Sequence, residues 1–458
     1  MARSATVYVC STCGHSSARW HGQCPGCEEW NTLVEERREA AAKGSSSRAA
    51  VKPVALKDLD ATEGERITTG IGELDRVLGG GLVPGSVVLI GGAPGIGKST
   101  LTSMALGNIS AAGNPVLYVS AEESAQQIRL RAMRLGDAAL DVPVLAQTDL
   151  ATVIATIEAE RPAVCVIDSV QTMHSSDLSG APGTVGQVRE AAAALMEIAK
   201  RLGIAIVLVG HITKEGDLAG PRVLEHVVDC VLRFDGERER TYRTLRAMKN
   251  RFGSTAEAGV FEMADSGLVE VLDASARFVA EATKAPGSVV LCAMEGSRPL
   301  LVEVQALVSP SELAQPRRIA NGIDRNRLAL VLAVLARHAG LALGSADVFI
   351  NVVGGVRVDE PGADLAVAVA VAAAAGGVIP GNGKLPVACF GELGLTGEVR
   401  SVAHADRRLA EAAKFGLGPV IAPPGSGRGA AESDTVAAAL RTAIGGASKG
   451  SSDHLTVV

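Results

Sequence analysis

The sequence predicts an α/β protein with two such regions behind a small cysteine module, and three observations carry that prediction. Short β-branched runs, "SVVLIGG", "PVLYVSA", "AVCVIDS" and "IAIVLVG", alternate with helical segments from Arg66 to about Asp273. Strands and helices in that alternation build a mostly parallel sheet covered by helices. A second α/β region begins after Val279 with "GSVVLCAMEGSRPLLVEVQALV" and continues to about Ile444. The chain also has 458 residues, more than one hydrophobic core usually organises, so two or three domains are expected.

Composition places the boundaries. Residues 1–34 hold four clustered cysteines, and residues 35–65, with "EERREAAAKGSSSRAAVKP", are charged, small and proline-terminated as a flexible linker is. The first α/β engine is expected over 66–273 and the second region over 280–444, with a disordered tail at 445–458. A net charge of −6 leaves no general basic surface, so any nucleic-acid contact must be a local patch in a groove or ring channel. Aromatic residues are scarce, which weakens any base-stacking platform. "MARSATVYVC" has no apolar signal core, so secretion is not predicted. "LAVAVAVAAAAGGVI", Leu365 to Ile379, is too short and alanine-rich to span a bilayer and reads as a buried helix. Cys165, Cys230, Cys292 and Cys389 sit among apolar neighbours, as thiols filling cores in a reducing, cytoplasmic setting do.

The chemistry begins at Cys10, Cys13, Cys24 and Cys27, two CxxC pairs separated by ten residues. Each pair can clamp one side of a tetrahedral Zn²⁺; the alternative is two disulfides or two unrelated turns. "GGAPGIGKST" follows a strand and opens a helix. There Gly92, Ala93, Pro94, Gly95, Ile96 and Gly97 would turn backbone N–H groups toward phosphates. Lys98 would reach the β and γ positions, and Ser99, with Thr100 beside it, would ligate Mg²⁺. This is the pattern of a nucleoside triphosphatase. Asp168 ends an apolar strand, where a carboxylate holds Mg²⁺ through water, although a helix cap is an alternative. Glu122, or its neighbour Glu123, ends another strand and is placed to orient the attacking water. His211 closes a further strand, as a γ-phosphate sensor or merely a loop cap. In "KNRFG", Lys249 and Arg251 stand two apart, so on an extended strand both face one target: carboxylates, a phosphate or water.

Taken together, "GIGELDRVLGGGLVPGSVVLIGGAPGIGKSTL", "YVSAEES", "VIDSVQTM", "GHITKEGDLAGPRVLEHVVD", "KNRFG" and the CxxC pairs closely resemble the bacterial RadA (Sms) DNA-repair family over nearly the whole chain. The resemblance implies a RecA-like ATPase core carrying an N-terminal zinc ribbon and a Lon-protease-like C-terminal domain. It implies Lys249 and Arg251 at a subunit boundary of a homo-hexameric ring, stabilising a neighbour's γ-phosphate. DNA is then expected in the ring centre, against "QTMHSSDLSGAPGTVGQVRE" and against "TKEGDLAGPR" with Lys214 and Arg222. In the C-terminal domain Gly362 and Arg408 fall where a Lon-type serine and lysine would stand. Glycine offers no nucleophile and arginine sheds no proton, so peptidase activity is not expected. Arg317, Arg318, Arg325 and Arg327 remain as exposed cations for DNA. The favoured function is an ATP-driven motor on single-stranded and branched DNA, working beside the RecA recombinase in recombination and repair. An ATP-dependent protease and an autokinase ring are the competing classes.

Overall fold

The computed structural model describes residues 5–10, 15–38, 65–178, 181–211, 223–236, 242–381 and 385–445. For residues 5–7, 9, 34–38, 211, 223 and 355 it describes the backbone alone. Four of the expected features therefore lie outside the described residues: Cys13, the linker over 39–64, the loop carrying Lys214 and Arg222, and the tail from 446 on.

The N-terminal module is a three-stranded sheet of β1 (Ala5–Cys10), β2 (Ser16–Ser17) and β3 (Leu33–Arg38), with β1 in the middle and antiparallel to both. Residues 35–38 were expected to begin the linker; they instead complete β3, with Ala5 opposite Arg38 and Cys10 opposite Leu33. The cause is local pairing. A strand needs a partner for its own N–H and C=O groups, and residues 33–38 supply it to β1.

A nine-stranded sheet follows. Its strands are β4 (Val87–Gly92), β5 (Val116–Ser120), β6 (Val144–Ala146), β7 (Val164–Asp168), β8 (Ala205–His211), β9 (Cys230–Asp235), β10 (Tyr242–Asn250), β11 (Ala258–Ala264) and β12 (Gly267–Glu270). Their order is β6-β5-β7-β8-β4-β9-β10-β11-β12. From β6 to β9 every neighbouring pair is parallel, whereas β11 and β12 form an antiparallel hairpin. All six residues of β4 are buried, because helices cover both faces, and a strand covered on both sides reads as a continuous apolar run. Val88 and Ile90 pack with Leu74, Val77, Leu101 and Leu106 on one face; Val87 and Leu89 pack with Val153, Ile157, Val188 and Leu195 on the other.

The remaining strands are β13 (Ser288–Glu295), β14 (Arg298–Pro310), β15 (Arg318–Asn321), β16 (Ala346–Val352), β17 (Ala388–Cys389), β18 (Glu392–Leu393), β19 (Val399–Arg400), β20 (Val420–Ala422) and β21 (Ala430–Glu432). β18 and β19 pair with each other, and the rest form a mixed sheet in the order β15-β16-β14-β13-β17-β20-β21. The alanine-rich segment is the helix Asp364–Gly376, in which Leu365 to Ala373 are at most 1% exposed. Small side chains let this helix lie close against its sheet, and Gly377 at φ 61° ends it in the left-handed conformation that favours glycine.

By compactness the chain divides into two units. One comprises Met1–Arg238, Leu245–Thr255 and Phe261–Glu270; the other comprises Glu239–Thr244, Ala256–Val260 and Val271–Val458.

Candidate nucleotide site and metal centre

The parallel strands deliver the candidate groups to one edge of the first sheet. In open α/β folds, ligands bind beyond the C-terminal ends of the strands. β4 runs into the glycine-rich loop, β5 leads to Glu122 and Glu123, β7 ends in Asp168 and β8 ends in His211, for which the backbone position alone is described. Gly97, at φ 118°, is the residue on which the loop turns into the helix Lys98–Ala111. The first turn of that helix has no acidic residue, so its positive end faces the site without a competing carboxylate.

Lys98 is 4% exposed, and its Nζ donates to the carbonyls of Gly92 at 2.8 Å and Ala93 at 3.0 Å. Burial lowers its pKa to about 8, although the Asp168 and Glu122 carboxylates pull it upward. Asp168 is itself buried and accepts a hydrogen bond from the Tyr118 hydroxyl. Tyr118 is held neutral by burial and by Asp168, which push its pKa well above the ordinary value.

The two glutamates separate. Glu122 accepts a hydrogen bond from Ser169, the residue after Asp168, and its charge bears on Lys98. Glu123 turns to Arg131 in an ion pair, and Arg131 also donates to the Tyr118 hydroxyl at 3.1 Å. Glu122 is therefore the glutamate on the P-loop side. Tyr118, Arg131 and Ser169 were missed in the sequence. The one available signal was a hydroxyl-tipped aromatic in the otherwise aliphatic run "VLYVS".

"KNRFG" occupies a different place. Lys249 lies on β10, whereas Arg251 lies just past the end of that strand. Lys249 Nζ donates to the Glu225 and Val228 carbonyls at 2.7 and 2.8 Å, and Arg251 pairs with Asp229 at 3.0 Å. Asp229 also accepts from the Val87 N–H, at the start of β4. The loop that holds Lys98 begins five residues later, and at about 3.3 Å per residue the separation is about 16 Å. Neither cation reaches the nucleotide site of its own chain. Asn250 anchors the turn, donating to the Val77 and Leu78 carbonyls and accepting from Phe252 N–H. Asp229, the acid inside "VVDC", was not anticipated.

The ribbon gathers Cys10, Cys24 and Cys27 with their sulfurs mutually within 4.8 Å. Cys10 Sγ and Cys27 Sγ are 3.7 Å apart, far beyond a disulfide bond. Thiolates about 2.3 Å from one zinc ion stand about 3.8 Å from each other in a tetrahedron, so these sulfurs fit Zn²⁺. By contrast, Cys165, Cys230, Cys292 and Cys389 are all buried, and burial pushes Cys230 and Cys292 up to about 12.

Of the C-terminal arginines, Arg317 is exposed, pairs with Asp347 and lies over Phe349. Arg325 is also exposed. Arg318 and Arg327, expected on the surface, are half-buried. Arg318 binds the Leu343 and Ala346 carbonyls, and Arg327 forms a two-pronged pair with Asp364 at 2.7 Å. Gly362 and Arg408 do meet: a Cβ on Gly362 would lie 3.1 Å from Arg408 Nη1. Arg408 is 1% exposed, pairs with Glu360, donates to the Cys292 carbonyl at 2.7 Å and stacks over Phe390. In the glycine-rich stretch after Gln171, expected to face DNA, the buried Gln187 side chain accepts from Ser175 N–H and donates to the Ser175 and Leu178 carbonyls.

The comparisons agree with this geometry. Residues 50–217 match the AAA domain model, and residues 8–35 match the rubredoxin metal binding domain model. DNA repair protein RadA of Pseudomonas aeruginosa is 52% identical over 93% of this chain and 94% of its own. That of Bacillus subtilis is 47% identical over 97% and 100%, and that of Brucella abortus 49% identical over 93% of each. Among solved structures, the RadB recombinase aligns over 45% of this chain and 99% of its own, at 21% identity and a TM-score of 0.37. No helix among the described residues is long and apolar enough to cross a membrane. With near-complete coverage at such identity, a P-loop ATPase core and a cysteine ribbon in register, the chain belongs to the family of DNA repair protein RadA.

Proposed function

We propose that the protein is a cytoplasmic, DNA-dependent ATPase that assembles as a homo-hexameric ring on single-stranded and branched DNA. There it drives branch migration of recombination intermediates alongside the RecA recombinase. One observation carries the reading: Lys249 and Arg251 are exposed or half-buried cations about 16 Å from their own P-loop. Within the chain Lys249 is held by two carbonyls and Arg251 by Asp229; exchanging these partners at an assembly boundary would let the pair serve a neighbouring subunit, as an arginine finger does in trans.

At each site Lys98 binds the γ-phosphate, exchanging its two loop carbonyls for phosphate oxygens. Ser99 and Asp168 would hold Mg²⁺, which neutralises charge on the phosphates. Glu122 orients the attacking water and takes its proton as the oxygen bonds to the γ-phosphorus, while the electron pair of the broken bond leaves with ADP. The zinc ribbon uses Cys13 as its fourth ligand. Lys214, Arg222, Arg317 and Arg318 contribute DNA contacts, with Arg318 the least available of them. The C-terminal unit is a Lon-protease-like scaffold without peptidase chemistry, in keeping with Arg408 being committed to Glu360.

The test is the steady-state ATP hydrolysis rate with and without single-stranded DNA at low and moderate salt. Stimulation that fades with salt is expected, because phosphate contacts release counterions. Hydrolysis indifferent to DNA would leave an ATPase and remove the motor.

A further inference from the structure

The chain has two tryptophans, and both stand out from the ribbon: Trp20 is 54% and Trp30 69% exposed. Gly22 brings them together. A Cβ on that residue would lie 3.6 Å from Cζ3 of Trp30 and 3.8 Å from Cη2 of Trp20, so the two indoles converge over a residue with no side chain. The backbone holds them there. Asn31 N–H donates to the Gly22 carbonyl at 2.8 Å, and Gln23 pairs with Trp30 in an antiparallel bridge. Cys24, one of the clustered thiols, is buried two residues beyond Gly22. The pair is mounted beside the clustered thiols of the module.

Its surroundings narrow the choice of ligand. Among the described side chains of the ribbon, no other large apolar group is exposed. The exposed neighbours are mostly polar, Arg19, His21, Gln23, Glu28 and Glu29, with the small apolar Ala18 and Pro25 among them. The core of a protein interface is a contiguous desolvated apolar patch; among the described side chains only the small Ala18 and Pro25 add exposed apolar surface near these rings. Isolated aromatic planes in a polar setting suit a flat ligand that stacks, and every nucleobase offers such a face. With Arg19 set against Glu28 and Glu29, phosphate attraction adds little. Aromatics are few in this chain, but the two largest are concentrated at one point.

We infer that Trp20 and Trp30 form a stacking site for unpaired bases of single-stranded nucleic acid, a contact separate from the ATPase core. This rests on the reading of the chain as a DNA motor.

Tryptophan emission of the full-length, zinc-loaded protein reports on this site alone, so titration with oligothymidylate is the experiment. Expected are quenching by oligothymidylate and none by an abasic strand of equal length. Trp30→Ala, with zinc content unchanged, weakens the Trp20 response about tenfold, the loss of one stacked base, and Trp30→Phe restores part of it. Unquenched emission while DNA still stimulates hydrolysis overturns the stacking site and leaves the motor reading intact. Equal quenching by the abasic strand overturns it in favour of a phosphate contact. Unchanged DNA affinity in Trp30→Ala alongside loss of a protein partner overturns it in favour of a protein surface. Absence of both quenching and stimulation removes the stacking site together with the motor.

Discussion

Lys98 and Arg408 are both cations taken out of water, 4% and 1% exposed, yet they are held in opposite ways. Lys98 rests on two carbonyl dipoles, and burial outweighs the pull of Asp168 and Glu122, leaving its pKa near 8. Arg408 is matched by the Glu360 carboxylate, by the Cys292 and Ala403 carbonyls and by the Phe390 ring. A cation whose charge is penalised by burial gains when a phosphate arrives. A cation fully matched inside its own unit has nothing further to gain, and it serves the packing.

The sharpest way to break this contrast is to remove Lys98. Lys98→Ala brings ATP hydrolysis to background with the melting temperature little changed; retained turnover would remove the lysine from the chemistry. Arg251→Ala is next, lowering turnover about a thousandfold while sparing ATP binding, in line with a finger acting in trans. Mixing the Lys98→Ala and Arg251→Ala proteins then restores part of the activity, since some interfaces hold one intact P-loop and one intact Arg251. No recovery on mixing would return Arg251 to a local role with Asp229.

Arg408→Ala acts on the other side of the comparison. It leaves Glu360 without its partner and destabilises the protein by about 3–5 kcal/mol in urea unfolding. A loss below about 1 kcal/mol would mean that Arg408 is no strut. The smallest effect is on pH. Because the Lys98 pKa is lowered to about 8, the free site sheds its charge above that value. The Kd for ATP therefore rises with pH, up to about tenfold one unit beyond it. A Kd flat across that range would show that Lys98 holds its proton by other means.

Much of this was legible in the sequence, because it depends on short-range pattern. The β-branched runs became β4, β5, β7 and β8, the alanine-rich stretch became a buried helix, and GxxxxGKS sits between a strand and a helix as its chemistry requires. Gly362 and Arg408, assigned to the serine and lysine positions by the Lon-like resemblance, do lie side by side. What was misread hung on distant partners. Residues 35–38 looked like linker until β1 supplied the opposite edge, and Arg318 and Arg327 looked like free surface charge until carbonyls and Asp364 claimed them.

The sequence by itself determined the α/β class, the phosphate loop and the clustering of cysteines near the N-terminus, since each is a matter of residue type and spacing within a few turns of chain. Tertiary structure alone decided the rest. It turned Glu122 toward Ser169 and Glu123 toward Arg131, set the KNRFG cations at the far end of β4 from Lys98, and brought two tryptophans to one glycine. The direction of a charge and the company of an aromatic ring are set by partners remote in the chain, and periodicity carries no record of them.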